Sequence, residues 1–472
     1  MRCRLLLLAC LALLAASSLH AATFDEQFLD KTMRVDYFHT STPRGDEILA
    51  LDAIVSDGPW SGSRTQLIDR SNLGKYYFEV VDRDTNQSLY SRGFASVFGE
   101  WETTPDAKFR PGTFHESLRF PWPKKPVQVI LKKRDEANAF QQIWSTVIDP
   151  NSRAVNPADR APAGRVWSYL DNGPASQKVD LLVIGEGYTA AEMPKLHKDV
   201  ERLVGKLFAT DPFKSHRSDF NVRVLELPSA KSGIHQPRTR DDRRTTTGVE
   251  YNIFDSERYV LTLDNKAMRD AASSAPYDFL EILVNEQQYG GGGIFNDQAT
   301  AAVDTGFAEY VFVHEFGHHF AGLADEYYTS PVSYATGATE HPEPWEPNIT
   351  ANGAHPKWMD LVTPGTPLPT PWDKAAFDKH SVEYQAERVR LRESGVPEAQ
   401  MDALFRRELD WDTKFLGSQQ YANRVGAFEG AGYESTGLYR PQSDCIMFSR
   451  DEVGFCRVCT RAIERVIDLY SH

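Results

Sequence analysis

Apolar and polar positions alternate at period two through residues 22–150, in short runs at 47–55, 76–82, 114–120 and 127–133. Clusters of Gly, Pro, Asn and Asp separate the runs. Alternation over such short lengths turns successive side chains to opposite faces, so it predicts half-buried antiparallel strands and an all-β sandwich domain. Residues 151–176 carry Asn156-Pro157, Ala161-Pro162 and Asn172-Gly173-Pro174, punctuation that predicts a linker. The period then changes across 177–472. The largely apolar run Val179-Asp180-Leu181-Leu182-Val183-Ile184 predicts a buried strand, and Gly185-Glu186-Gly187 turns the chain. Thr189 and Glu192 stand at capping-box spacing for a helix running to about Ala209. Further strands are expected at 221–227 and 278–285, so the second domain reads as α/β with a mixed, twisted sheet. Residues 373–416 are densely charged, with Pro397 at a helix N1 position, and predict a helical insertion of two helices. The glycine run Gly290 to Gly293 is expected to be a flexible loop beside a cleft, because no Lys-Ser/Thr pair follows to make it a phosphate loop.

Composition narrows the classes of function. The chain has 472 residues, 41% of them hydrophobic, with a net charge of −14. That acidic balance excludes a nucleic-acid binder, which needs a basic face for phosphates. Arg2 and Arg4 precede a twelve-residue apolar run from Leu5 to Ala16, and small residues follow. Twelve residues are too few for a membrane helix, which takes about twenty. The segment therefore predicts a signal peptide over 1–21, cleaved after Ala21, and an exported protein that is secreted or periplasmic, with no integral membrane segment afterwards. A lipoprotein signal at Cys10 is the alternative. Three cysteines remain: Cys445, Cys456 and Cys459. In an oxidising compartment they predict one disulfide from Cys445 to Cys456 or Cys459, and one free thiol. Cys456 and Cys459 form a CxxC pair that also reads as a redox couple or half of a zinc site, but no second CxxC exists to complete a structural zinc site.

The chemistry concentrates at 311–320, VFVHEFGHHF. His314 and His318 are four residues apart, so on a helix both imidazoles project from one face. Two nitrogen donors on one rigid turn suit one tetrahedral Zn2+, and Glu315 can stand beside the attacking water as general base. A surface helix that happens to carry these residues is the plainer reading. Phe312, Val313, Phe316 and Phe320 argue against it, since a buried helix needs partners for two histidines and a glutamate. His319 points about 100° away from His318 and reads as a hydrogen-bonded packing residue. Gly322 lets the helix end and the chain return to present a third ligand. Asp325 stands three residues beyond it, with Glu326 as the alternative. Metzincin-type peptidases use a comparable glycine and a methionine turn beneath the metal, a position Met447 matches. Tyr327 or Tyr328 is a candidate to hold an oxyanion.

The runs HEFGHHFAGLADEYY, FEGAGYESTGLYRP (428–441) and DCIMF together resemble the bacterial immunoglobulin-A peptidase family of zinc metallopeptidases. The resemblance implies a metzincin-like catalytic domain behind a smaller all-β domain. It also implies His314 and His318 as metal ligands, Glu315 as the base and a protein or peptide as substrate. Immunoglobulin A itself does not follow, because a family fixes chemistry better than specificity. Two other classes stay open at this point: a binding module with a structural zinc, and an amidase of cell-wall peptides.

Overall fold

The computed structural model describes residues 23–43, 45–239, 242–329 and 341–471. The expected signal segment, with Arg2, Arg4, Cys10 and Ala21, lies outside the described residues. Two four-stranded sheets form the N-terminal sandwich. One runs Gly112–Pro123, Phe28–Ser41, Glu47–Ser56 and Val155–Asn156; the other runs Ser88–Phe94, Tyr76–Asp82, Val127–Arg134 and Phe140–Ile148. Their facing sides enclose one apolar core that includes Val35, Phe78, Phe120 and Leu131. The alternation is visible in the strand Tyr76–Asp82, where Tyr76, Phe78 and Val80 are buried and the residues between the first of them are half-buried.

The sheet of the α/β domain has six strands. Gly291–Ile294 and Arg165–Leu170 are its antiparallel edges, and Gln298–Ala302, Phe279–Val284, Val179–Glu186 and Phe220–Glu226 lie parallel between them. Val179–Glu186 is buried along its whole length, Asp180 and Glu186 included, as a central parallel strand with both faces covered requires. Helices Met193–Leu207, Ala308–Ala321 and Arg457–Ser471 share the larger core on one face. Helix Asn265–Ala272 covers the other. Thr189 and Glu192 form the capping box at the 3-10 turn before Met193–Leu207. Within the charged segment, Lys374–Glu393 and Glu398–Gly417 are two helices. The molecule is thus a β domain followed by a mixed α/β domain. Among the described residues, no helix is long and apolar enough to cross a membrane.

The glycine run departs from expectation. Gly291–Ile294 is a paired edge strand, not a flexible loop. A side chain has no room there. A Cβ on Gly291 would lie 2.7 Å from Val311, and one on Gly293 would lie 2.3 Å from the Glu315 carbonyl and 2.9 Å from His318 Cβ. These glycines let the strand backbone lie directly on the helix that carries the histidines.

Candidate metal centre and catalytic site

Helix Ala308–Ala321 is apolar on nearly every side. Phe316 and Phe320 pack on Phe213, and Phe320 also packs on Phe220 and Phe279. Between Val311 and Phe320 only Glu315 and His318 keep appreciable exposure, and both line the same cleft. The helix ends at Gly322 in the left-handed conformation, with φ at 60°. A Cβ there would come within 2.7 Å of the Trp345 ring, so glycine serves both the turn and the packing.

That turn brings Asp325 back beneath the two histidines. Asp325 Oδ1 is 3.0 Å from His314 Nε2 and 3.2 Å from His318 Nε2, and the two Nε2 atoms are 3.1 Å apart. Each ring is fixed from behind: His314 Nδ1 donates to the Ile446 carbonyl at 2.9 Å and His318 Nδ1 to the Leu323 carbonyl at 2.5 Å. With Nδ1 protonated, the two Nε2 lone pairs face the Asp325 carboxylate and one another. Ligand atoms of a tetrahedral zinc site stand about 3.3 Å apart, so a two-nitrogen, one-oxygen set at this spacing fits such an ion. Electrostatics give the same picture. Burial would lower His318, yet the Asp325 carboxylate brings it up to about 9. Asp325 is held well below the usual carboxylate range against its own burial by His318 and His314. The carboxylate and the two imidazoles thus favour positive charge at this point. Glu315 has a carboxylate oxygen within 4.8 Å of the ring nitrogens, and burial raises its pKa.

The cleft beside these groups has a volume of about 260 Å³. Tyr433 donates to Asp325 Oδ2 from the left-handed region, with φ at 65°. Tyr327 shares the same wall and accepts a hydrogen bond from Arg258 at 2.8 Å. Glu100, from the N-terminal domain, also lines the cleft. Tyr328 faces away and donates to Asp378. Met447 is fully buried, and a Cβ on Gly317 would meet its sulfur at 3.2 Å, which locates it directly under the helix. His319 is buried, donates to the Ile294 carbonyl and accepts from Leu280 N–H. Burial takes it down to about 3, so it is neutral.

Two expectations resolve differently. Glu326 does not approach the histidines: its carboxylate turns the opposite way, into the cysteines, with Cys459 Sγ at 3.3 Å. Cys445, Cys456 and Cys459 are all free, and Cys445 Sγ is 3.9 Å from Cys459 Sγ against about 2.05 Å for a disulfide. Sequence reasoning did not single out Tyr433, Arg258 or Glu281. Tyr433 lies inside the block 428–441, where its position after Gly432 was the available signal. Glu281 is a fully buried acid on the central strand Phe279–Val284 with neither oxygen hydrogen-bonded, and burial raises its pKa well above the ordinary value. A single acid within an apolar strand run was its signal.

Comparison with known families bears on both domains. The model of the IgA Peptidase M64 family matches residues 168–467, and that of the Peptidase M64 N-terminus matches residues 23–145. No curated protein matches the chain.

Proposed function

Because the chain belongs to the IgA peptidase M64 family and is a metallopeptidase, we propose that it is an exported, metzincin-like endopeptidase using one catalytic zinc ion. His314, His318 and Asp325 would hold the ion. The observation that carries this reading is the convergence of their three donor atoms at 3.0–3.2 Å, each imidazole being tied to a backbone carbonyl on its far side. Bound there, zinc supplies a Lewis acid that polarises a carbonyl and acidifies water. Glu315 is the base: it takes a proton from the attacking water at Oε and returns it to the leaving amine. Tyr433 orients Asp325 through its hydroxyl, and Tyr327 with Arg258 offers donors on the cleft wall where an oxyanion develops. The edge strand Gly291–Ile294 borders the same cleft, and an extended peptide is the substrate shape such an edge favours. The substrate is a protein or peptide. Export rests on Arg2, Arg4 and the apolar run from Leu5 to Ala16. The test is a proteome-derived peptide library incubated with the purified protein. Cleavage should cease with chelator and return with added zinc; cleavage indifferent to chelator defeats the proposal.

A further inference from the structure

Below the catalytic helix four acidic side chains face one another in the protein interior. Glu326, Cys445 and Cys459 are fully buried and Cys456 is 4% exposed. One donor atom from each lies within 4.8 Å of all the others. Cys459 Sγ is 3.3 Å and Cys456 Sγ 3.9 Å from Glu326 Oε1, and Cys445 Sγ is 3.9 Å from Cys459 Sγ. For zinc–sulfur bonds of about 2.3 Å, tetrahedral geometry places sulfur atoms about 3.8 Å apart. A disulfide does not account for the group, because it would leave the third thiol and the carboxylate unexplained. A redox couple needs an accessible sulfur, and none of these has one. Glu326 Oε2 is buried with no hydrogen-bond partner, a costly arrangement for a carboxylate without a cation.

We infer that Cys445, Cys456, Cys459 and Glu326 form a second metal site, a closed S3O tetrahedron that takes a structural zinc ion. The surroundings suit thiolates. Cys456 immediately precedes helix Arg457–Ser471, whose N-terminal end favours negative charge. Backbone N–H groups of Cys456 and Cys459 donate to Cys445 Sγ at 3.2 Å and Cys456 Sγ at 3.4 Å. Asn348 Nδ2 donates to Glu326 Oε1 at 3.0 Å and fixes the carboxylate. The buried Arg440 guanidinium is within electrostatic reach of Glu326 and Cys445 and offsets part of the excess charge. With four protein ligands the site has no open position, which makes it structural rather than catalytic.

The second ion holds together the segments that build the first centre; this part rests on the catalytic reading above. Asp325 and Glu326 are consecutive and face opposite sites. Glu326 N–H donates to the Met447 carbonyl at 2.8 Å, while Cys445 adjoins Ile446, whose carbonyl accepts a hydrogen bond from His314 Nδ1. The structural ion therefore positions Asp325 and His314 through one residue of backbone each.

Metal analysis of the purified full chain tests this, with mass spectrometry of its unreduced thiols. The expected content is two zinc ions per chain, with Cys445, Cys456 and Cys459 all present as thiols and no disulfide among them. The His314→Ala/His318→Ala variant should keep one ion and lose hydrolysis. After cobalt exchange that variant should still give an intense thiolate-to-cobalt charge-transfer band, which histidine and carboxylate ligands cannot produce. Cys456→Ser/Cys459→Ser should lose the band. If that variant does not fold, the band in wild type and in the histidine variant still decides the question. Glu326→Gln should weaken zinc binding at the catalytic centre by about tenfold or more. One ion per chain that disappears with the histidines, absence of the cobalt–thiolate band, or a Cys445 disulfide overturns the second site and leaves the catalytic proposal standing. Two ions with no hydrolysis of any peptide would do the reverse.

Discussion

Asp325 and Glu326 are neighbours of like chemistry with separate destinations, and the split is decided by backbone direction after Gly322. Asp325 has the shorter side chain but arrives beneath His314 and His318; Glu326 is directed towards the cysteines. Asp325→Ala should therefore remove the ion from the histidine centre, because two nitrogens alone hold zinc poorly. Metal analysis with the cobalt–thiolate band as a separate marker reads this, and full loading at the histidines would contradict it. His319 differs from its neighbour His318 for an equally local reason: it makes two hydrogen bonds as a neutral ring deep in the core. Its folded pKa of about 3 lies below the ordinary 6.5, so the unfolded chain takes a proton that the native chain refuses. Its contribution to stability is complete above about pH 6.5 and is lost as pH falls toward about 3. The melting temperature of wild type should accordingly fall faster than that of His319→Gln as pH drops below 6.5. Parallel pH profiles would remove this assignment.

The glycine strand and the histidine helix act as one unit. Gly293→Ala would place a methyl 2.3 Å from the Glu315 carbonyl, so strand and helix must separate. Overpacking of this kind costs about 1–3 kcal/mol, and here it also displaces Glu315 and His318. Both kcat/KM and the unfolding midpoint should fall; a variant with wild-type values for both would mean that the strand can move aside freely. The same pair marks what sequence patterns convey. Strands such as Tyr76–Asp82 and the helix Ala308–Ala321 are readable because side chains repeat at periods of two and 3.6. A strand of glycines has no side chains to repeat, so Gly291–Ile294 looks like a loop until the helix packs on it. The HExxH spacing announces two donors and a base within one turn. Tyr433 and the Ile446 carbonyl reach the centre from remote segments, and no local pattern encodes that approach. The cysteines read as a disulfide for the same reason, since their fourth companion, Glu326, is more than a hundred residues upstream.

The two domains meet through a buried ionic network. Arg34 of the sandwich is fully buried and contacts Asp36, Asp57 and Asp270, the last belonging to helix Asn265–Ala272 of the α/β domain. Ala95 N–H donates to the Phe295 carbonyl at 2.9 Å, next to the glycine edge strand, and Glu100 joins the cleft wall. The sandwich thus contributes to the wall of the candidate cleft. Arg34→Met should leave the buried Asp36 carboxylate without a cationic partner, while Asp57 keeps Arg119 and Asp270 keeps Arg160, and should cost about 3–5 kcal/mol. It should also separate the unfolding of the two domains in calorimetry; a single transition at the wild-type temperature would contradict this coupling. The central claim is that Glu315 moves the proton in a centre built by His314, His318 and Asp325. The most direct measurement is turnover of a cleaved peptide by Glu315→Gln protein whose zinc content has been determined on the same sample. The expected result is wild-type zinc with a rate lowered by about 10²–10⁴-fold. Wild-type zinc with a wild-type rate would contradict the account.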